Sequence, residues 1–405
     1  MFRESLRVQK ETTRFRHFAG ESMAVIVINA LSARLGGGQT YIRNLLFRVD
    51  DTHQYVVLVG PYNRELFKRA AGNKQNVRFI DCGEKQENPF LRLFWECFRL
   101  PSLLRNVDAD VYYAAGGGTL NRVPKGVVSV TIVRNMLPFD ERERARFPLF
   151  SVQRLKLFLL RRIVLCALKR CDKVIFISDY SRKVLVRLLP ELDRKGVVIY
   201  HGVDERFFHP LKQSFDFSRF GITEGKFYLY VSIFNHYKAQ AELVREWKIL
   251  SESHFPYPLV LTGFHEPGYT EIVKKAILQT GQENNVLMTD AVSYDELPGF
   301  YAGARALVFA SSCECCPNIL LEMMAVGKPI FCSDFPPMPE IGGKSPIYFH
   351  PYREGDLAEK ILRFENHFET EKSRQNSTRE RAVQFSWDKT VEKTVQFLTE
   401  DLSQD

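Results

Sequence analysis

Two glutamates, Glu314 and Glu322, stand eight positions apart on either side of a segment that predicts the start of a helix. An apolar strand is expected to end at Ser311, and Pro317 suits the first helical position because its missing N–H would be unpaired there. Gly327 is expected to end the helix. Free amides at such a helix start attract a phosphate, and carboxylates accept hydrogen bonds from hydroxyl groups. The spacing therefore suits a ligand in which a diphosphate joins a sugar to a ribose. A helix cap and a solvated helix position are the alternative structural roles of these two residues.

No metal site is predicted for these side chains. No third carboxylate lies near the glutamate pair, and the cluster Cys313, Cys315 and Cys316 lacks a second Cys/His group at a zinc-like spacing. The eight cysteines are mostly scattered and no secretory signal precedes them, which favours free thiols in a reducing compartment. The sequence therefore predicts a cytoplasmic protein.

A second candidate anion site follows the first expected strand, where Gly36, Gly37 and Gly38 precede a helical pattern. Glycines there allow the backbone to approach a ligand closely, although a run of glycines is also typical of a flexible turn. Lys238 follows another expected strand and adds a positive charge, with an ordinary surface lysine as the alternative interpretation.

These residues need a scaffold that brings the ends of several strands together. Short β-branched runs alternate with helix-length segments, which indicates parallel sheets with crossover helices. Since 405 residues exceed the usual size of one core, we predict an α/β protein with two doubly wound, Rossmann-like domains that face a central cleft. The expected strands lie within residues 24–30, 55–60, 77–80, 110–115, 127–133, 173–178, 196–202, 227–234, 258–263, 285–290, 305–311, 328–334 and 346–350.

Four segments are expected along the chain. Residues 1–22 are predicted to be a flexible basic leader, because they lack the apolar stretch of a signal peptide. Residues 23–208 and 209–377 are predicted to be the two domains, separated in an irregular region that contains Pro210. Residues 378–405 form a helical tail that could cross back to the first domain.

The glutamate pair, followed by AxGxP over 325–329, resembles the donor site of glycosyltransferase family 4. Further segments match the family's pattern in order and spacing. The resemblance implies a GT-B fold and a retaining enzyme that moves a hexose from a nucleotide-diphosphate sugar to a glycan or lipid-linked acceptor, with no metal or other cofactor. The first domain would hold the acceptor and the second the donor. The matching segments are 177–185, 199–208, 231–244, 262–264, 289–311, 337–343 and 385–387.

The resemblance also implies roles for individual residues. Glu314 would bind the hydroxyls of the transferred sugar, Glu322 the ribose, and Lys238 the leaving diphosphate. Proline has no N–H to offer, but the other backbone positions near the diphosphate would present amides. These positions are Gly37, Gly38, Pro317, Asn318, Ile319 and Leu320.

Two departures from the family pattern affect the predicted chemistry. Asn235 stands near the place of a family arginine, where His236 is either a partial substitute or a surface residue of no consequence. Arg134 and Asn135 replace a family His-Asp pair. We expect Arg134 to bind an acceptor or a phosphate and Asn135 to bind the sugar as a catalytic-site residue. Neither side chain can act as a general base at neutral pH.

The same residues leave other activities open. A nucleotide-sugar epimerase, a sugar phosphorylase and a non-catalytic sugar-nucleotide-binding protein remain alternatives, because a fold alone does not establish a function. With no carboxylate nucleophile in evidence, the family implies that the acceptor hydroxyl attacks on the face that the diphosphate leaves. A role in bacterial surface polysaccharide synthesis is expected.

Charge is concentrated in residues 141–170, which hold nine basic and two acidic residues, while the whole chain has a net charge of +8. Leu155, Phe158 and Leu159 fall near helical spacing, so an amphipathic basic helix is predicted. Peripheral docking on an anionic membrane surface and a helix buried on one side both fit this pattern. Nucleic-acid binding is not expected, since no recognised motif accompanies the charge. No apolar stretch approaches the length of a membrane span.

Overall fold

The computed structural model describes residues 23–404 except 35, 85–87, 117–122, 211–214 and 369–373. The expected leader, residues 1–22, lies outside this range. Each of the expected strand runs overlaps a strand, and every strand pairs in parallel with its neighbours, so the predicted α/β architecture is confirmed. Helices cover both faces of a parallel sheet, so its strands are buried on both sides and consist of continuous apolar, often β-branched, residues.

The first sheet has seven strands in the order β3-β2-β1-β4-β5-β6-β7. With its helices it forms the N-terminal domain. In register, Val27 of β1 lies between Val56 of β2 and Tyr112 of β4. Its strands are β1 Val25–Asn29, β2 Gln54–Val59, β3 Val77–Asp81, β4 Val111–Ala114, β5 Val128–Val133, β6 Lys173–Phe176 and β7 Gly196–Val198. Its helices are α1 Gly37–Arg48, α2 Arg64–Ala71, α3 Pro89–Phe98, α4 Leu100–Asn106, α5 Glu141–Ala145, α6 Val152–Arg170, α7 Asp179–Leu188 and α8 Leu192–Lys195.

The second sheet has six strands in the order β10-β9-β8-β11-β12-β13 and, with its helices, forms the C-terminal domain. Its strands are β8 Tyr228–Val231, β9 Leu259–Thr262, β10 Val286–Thr289, β11 Ala306–Phe309, β12 Ile330–Ser333 and β13 Ile347–Phe349. The remaining helices are α9 Gln240–Glu252, α10 Tyr269–Thr280, α11 Leu297–Gly303, α12 Asn318–Val326, α13 Met338–Gly342, α14 Asp356–Asn366, α15 Arg374–Ala382 and α16 Trp387–Thr399. Short 3₁₀ turns include Leu137–Phe139, Glu205–Phe207 and His236–Lys238.

Strand order reverses between β1 and β4 in one sheet and between β8 and β11 in the other. Such switch points open a crevice at the carboxyl ends of the strands, where ligands bind in open α/β sheets. The glycine loop follows β1, Lys238 follows β8, and Glu314 follows β11. The topology therefore gathers the candidate residues from both domains at the two switch points.

The end of the chain joins both domains. Helix α15 packs on α12 of the C-terminal domain, and α16 packs on α1 and β4 of the N-terminal domain. On α16, Thr394 Oγ1 lies 3.3 Å from the Tyr41 hydroxyl. Lys173 donates from Nζ to the carbonyl oxygen of Phe397 at 2.7 Å and lies 2.7 Å from the carboxylate of Asp401. The last helices thus connect the two halves of the molecule.

Candidate active site

Lys238 and Glu314 form an ion pair where β8 and β11 end. Only 7% of the lysine side chain and 16% of the glutamate side chain are exposed. The Tyr230 hydroxyl stabilises the 3₁₀ turn His236–Lys238, because it donates a hydrogen bond to the Lys238 carbonyl oxygen at 3.0 Å. A cation and a carboxylate are therefore brought together at the carboxyl ends of two strands of the second sheet.

Helix α12 begins at Asn318, one residue later than the sequence suggests, with Pro317 immediately before it. The Asn318 N–H turns back to the Cys316 carbonyl oxygen at 3.1 Å, which keeps Pro317 outside the helix. The next two residues, Ile319 and Leu320, belong to the first turn, whose amides have no partner within a helix. Gly327 ends the helix in the left-handed conformation, with φ of 77°, as the sequence predicts.

The glycine loop of the N-terminal domain meets the start of α12. A methyl group on Gly37 would lie 3.2 Å from Asn318 Nδ2, and one on Gly38 would lie 3.4 Å from the Arg134 guanidinium. Arg134 Nη1 donates to the Gly38 carbonyl oxygen at 3.3 Å. Residues far apart in sequence thus converge where the domains face each other, and the two glycines leave room for the side chains opposite them.

Arg134 adds a second positive charge to this junction. Its guanidinium lies 5.7 Å from the ring centre of Tyr41. Burial lowers the pKa of Arg134, while Tyr113 and Tyr41 oppose that effect. Arginine remains a cation in proteins, so the group presents positive charge and several N–H donors to an anion.

Asn135 has a local role in this structure. Its side chain is exposed, and Oδ1 accepts a hydrogen bond from the Leu137 N–H at 3.0 Å at the start of the 3₁₀ turn. Among the described residues, no hydrogen bond joins Asn135 to Lys238 or Glu314. The structure therefore places Arg134 beside the glycine loop, whereas the side chain of Asn135 is hydrogen-bonded within its own turn.

Glu322 lies on the buried side of α12, with 7% of the residue exposed. Burial raises the pKa of its carboxyl group from 4.5 to about 8, although the hydroxyls of Tyr294 and Tyr301 partly offset the effect. The Tyr301 hydroxyl lies 3.5 Å from Glu322 Oε2. A solvated helix position is thus excluded, and burial favours the protonated form of the carboxyl group.

The sequence interpretation missed several charged residues that lie around Glu322. Asp204 lies 4.0 Å from the guanidinium of Arg43 and 3.0 Å from that of Arg206. Both guanidinium groups lie 5.1 Å from the ring centre of Tyr294. These residues come from α1, the segment after β7 and the segment after β10, so only the tertiary fold assembles them. The sequence offered one indication of this group of residues, namely Asp204 at the end of the motif HGVD.

His201 of the same motif was not predicted as a site residue. It is 3% exposed and its Nδ1 lies 2.9 Å from Asn318 Oδ1. His236, in contrast, packs on the ring of Tyr269 at 4.5 Å, and burial together with Arg146 lowers its pKa. The lowered pKa disfavours the charged form of His236, which is the form that would replace the cationic side chain of the family pattern near Asn235.

Two acidic side chains link the domains beside this site. Glu143 of α5 accepts a hydrogen bond from Ser312 Oγ of the C-terminal domain at 2.6 Å. Glu340 of α13 accepts hydrogen bonds from the N–H groups of Asp179 at 2.7 Å and Tyr180 at 2.8 Å, at the start of α7. The negative carboxylate of Glu340 also suits the positive end of that helix. Both contacts therefore join the two domains next to the candidate residues.

The cysteines near Glu314 are packed rather than clustered for metal binding. Cys313, Cys315 and Cys316 are buried, and burial raises the pKa of each thiol. Cys315 Sγ donates to the Val133 carbonyl oxygen at 3.3 Å, which places it against the other domain. Within the described ranges, no group of three or more His, Cys, Asp or Glu side chains has a metal-binding arrangement.

Sequence comparisons agree with this architecture. The family model "Glycosyltransferase Family 4" matches residues 35–207, and the model "Glycosyl transferases group 1" matches residues 212–381. The O-antigen chain mannosyltransferase B of Escherichia coli is 24% identical over 234 residues. That alignment covers 55% of this chain and 59% of the E. coli protein, less than two thirds of its length.

Solved structures share the fold across nearly the whole chain. HepE of Anabaena, in complex with UDP and glucose, has a TM-score of 0.70 at 17% identity and covers 93% of this chain and 100% of its own. WaaG, described as a glycosyltransferase involved in lipopolysaccharide biosynthesis, has a TM-score of 0.68 at 13% identity, with coverages of 93% and 99%. Because the two family models match consecutive parts that together span most of the sequence, the chain belongs to glycosyltransferase family 4, group 1, and it has the GT-B fold.

Proposed function

We propose that this protein transfers a hexose, with retention of configuration, from a nucleotide-diphosphate sugar to a glycan or lipid-linked acceptor. The observation that carries the proposal is the largely buried Lys238–Glu314 ion pair, whose carboxylate lies between β11 and α12. HepE, whose structure contains UDP and glucose, supports a nucleotide sugar as donor. No metal or other cofactor is required in this proposal.

The anion site is supported by the geometry of the domain junction. Both domains offer N–H donors to this site. The C-terminal domain presents the start of α12, and the N-terminal domain presents the backbone at Gly37 and Gly38 and the guanidinium of Arg134. Lys238 supplies a compact positive charge for the departing diphosphate, where stabilisation of developing charge contributes most to catalysis. When the sugar binds, Glu314 accepts hydrogen bonds from its hydroxyls, and the pairing with Lys238 orients that carboxylate.

In the proposed step, the anomeric carbon loses its bond to the diphosphate oxygen, which keeps the electron pair. The acceptor oxygen forms the new bond on the same face, and its proton passes to a phosphate oxygen. Arg134 and Asn135 stand where a general base is common in the family, and neither can accept a proton at neutral pH. In this proposal, closure of the two domains around the donor excludes water from the reacting centre, which limits hydrolysis of the donor.

The test is the product of the reaction and its dependence on three side chains. Nuclear magnetic resonance of the glycoside formed from an α-linked donor should show an α-linked product. Glu314→Gln, Glu322→Ala and Lys238→Ala should each reduce turnover by at least tenfold, whereas wild-type turnover in all three would refute the site. Release of nucleoside diphosphate only with an acceptor present distinguishes a transferase from an epimerase. Absorbance of pyridoxal phosphate would indicate a phosphorylase, and donor binding without any turnover would indicate a binding protein.

We further propose that the acceptor belongs to bacterial surface polysaccharide synthesis. The relative in E. coli is named an O-antigen chain mannosyltransferase, and WaaG is described as acting in lipopolysaccharide biosynthesis. Assays with mannose, glucose and galactose donors against lipid-linked oligosaccharide fragments test this part. Transfer to water-soluble storage glucans alone would contradict it.

An anionic membrane surface is the partner that we propose for α6. Six of its side chains are basic and none is acidic. Apolar side chains at its start are largely exposed, including Phe150 at 100%, Val152 at 62% and Leu155 at 58%. Burial is confined to the other end, at Ala167 and Leu168, so the alternative of a helix buried on one side fits only its last turns. Exposed apolar side chains beside lysine and arginine suit an anionic interface.

Helix α3 carries two further exposed apolar side chains. Its Phe94 and Phe98 are 63% and 67% exposed, and their rings lie 4.5 Å apart. Trp95 of α3 packs on the face of the first sheet that carries Tyr112, and a cavity of about 440 Å³ lies between Tyr112 and Ala167 of α6. Both helices therefore cover the same face of the sheet. Within the described residues, no helix is both long and apolar enough to cross a bilayer.

Sedimentation with vesicles tests the membrane proposal. Vesicles that contain one third phosphatidylglycerol should retain the protein at low salt and lose it as salt screens the charges. Phe150→Ser and Lys156→Glu should each weaken retention, whereas Leu278→Ser, at a 66% exposed apolar position of α10, should not. Equal retention by neutral phosphatidylcholine vesicles, or none by either kind, would contradict the proposal.

A further inference from the structure

His201 lies at a buried junction between the two domains and the last helix. Its ring stacks on Tyr41 of α1, with 5.3 Å between ring centres and 27° between planes, and lies 5.4 Å from the ring of Trp387. The next residue, Gly202, fixes this position, because a methyl group there would lie 2.2 Å from the Trp387 nitrogen. Thr390 of α16 also donates to the Tyr200 carbonyl oxygen at 2.7 Å. The histidine ring therefore has little freedom to move.

The hydrogen bond of His201 determines its tautomer. Nδ1 lies 2.9 Å from Asn318 Oδ1, and an amide oxygen can only accept, so Nδ1 carries the proton and donates. Nε2 is then an unprotonated nitrogen, and it is buried without a hydrogen-bond partner within the described part of the chain. Burial lowers the pKa of His201 to about 4, and the positive charge of Arg134 adds to this effect. The imidazole is therefore neutral at physiological pH and is not suited to acid–base catalysis.

The same hydrogen bond decides how Asn318 faces the cleft. With Oδ1 engaged by the histidine, Nδ2 lies on the side of Gly37, where a methyl group would be only 3.2 Å away. The Arg134 guanidinium lies on the same side, next to Gly38. Diphosphate oxygens accept hydrogen bonds and do not donate them. An Asn318 amide rotated by half a turn would present its carbonyl oxygen to such a ligand and repel it.

We infer that His201 is a positioning residue that holds the Asn318 amide with its NH₂ group toward the donor diphosphate. The inference rests on the proposed function, since it assigns a diphosphate to this junction. It adds a histidine that acts through a fixed hydrogen bond and makes no contact with the reacting atoms. The tail helix α16 takes part indirectly, because Trp387 packs against the histidine ring.

Two substitutions of His201 separate positioning from stability. His201→Phe keeps a ring against Tyr41 and Trp387 but cannot donate to Asn318. His201→Asn loses the ring but keeps an N–H near the place of Nδ1. We expect His201→Phe to melt near the wild-type temperature and to bind diphosphates at least tenfold more weakly. His201→Asn should melt at a lower temperature and keep an affinity within about threefold of wild type. His209→Phe, at an exposed position, is the matched control.

Isothermal titration of UDP, GDP, ADP and dTDP provides the readout. Asn318→Ala should weaken binding as much as His201→Phe, and the double variant should be no weaker than either one, because both changes remove the same contact. Wild-type affinity in a folded His201→Phe protein, or losses that add in the double variant, would overturn the inference while the proposed function stands. A wild-type protein that binds none of the four diphosphates would overturn the proposed function and this inference with it.

Discussion

The buried carboxyl group of Glu322 makes the stability of the protein depend on pH. Its pKa is raised to about 8 by burial, whereas a glutamate in the unfolded chain titrates near 4.5. Between these two values the folded protein holds a proton that the unfolded chain has released. The free energy of unfolding therefore falls as the pH rises from about 4.5 to about 8, and it stops falling above that point. Glu322→Gln removes this dependence, because glutamine has the shape of the protonated acid and does not titrate.

The size of the effect follows from the shift. Each unit of difference in pKa corresponds to about 1.4 kcal/mol, so a group that titrates near 8 changes the unfolding free energy by roughly 3–4 kcal/mol between pH 5 and pH 8. For domains of this size, about 1 kcal/mol moves the melting temperature by roughly 2–4 °C. The melting temperature of Glu322→Gln should therefore rise relative to wild type by roughly 6–16 °C across that range.

Thermal melts of both proteins from pH 5 to pH 9, without ligand, measure this difference. Glu359→Gln removes the same charge from an exposed position of α14 and serves as the control, which should follow the wild-type curve. If Glu322→Gln and wild type run parallel over the whole range, the carboxyl group is ionised in the folded protein and the account of its environment is wrong.

Three further variants test the contacts around the cleft. Lys238→Ala leaves Glu314 without its counter-charge and should lower the unfolding free energy by about 1–3 kcal/mol. Adding Glu314→Gln should restore the melting temperature but not turnover, and a double variant as unstable as the single one would contradict the pairing. Gly37→Ala, whose new methyl group would lie 3.2 Å from Asn318 Nδ2, should raise the KM for the donor several-fold without changing the melting temperature. Unchanged donor kinetics would show that the loop does not meet α12. Glu340→Gln weakens the contact with α7 and should increase the radius of gyration in X-ray scattering, whereas an unchanged radius would show that other contacts keep the cleft closed.

Short-range patterns in the sequence were sufficient to predict the α/β architecture. Strand runs such as 24–30 and 305–311 are apolar and bounded by turn residues, and both contain strands of the expected parallel sheets. The stop of α12 at Gly327 was equally local, because glycine adopts a left-handed conformation at low cost. The start of the helix at Asn318 differed from the prediction by one residue, since the turn at Cys316 depends on a backbone hydrogen bond.

The environment of each site residue was decided at longer range. Lys238 and Glu314 are 76 residues apart, and His201 and Asn318 are 117 residues apart, so no local pattern predicts that they touch. Glu322 has the spacing of a ligand-binding acid in the sequence, yet its protonation depends on tyrosines and charges from three other segments. Residue types and periodicity specify secondary structure and the chemistry that is available. Burial and pairing, which set charge and orientation, arise only when distant segments pack together.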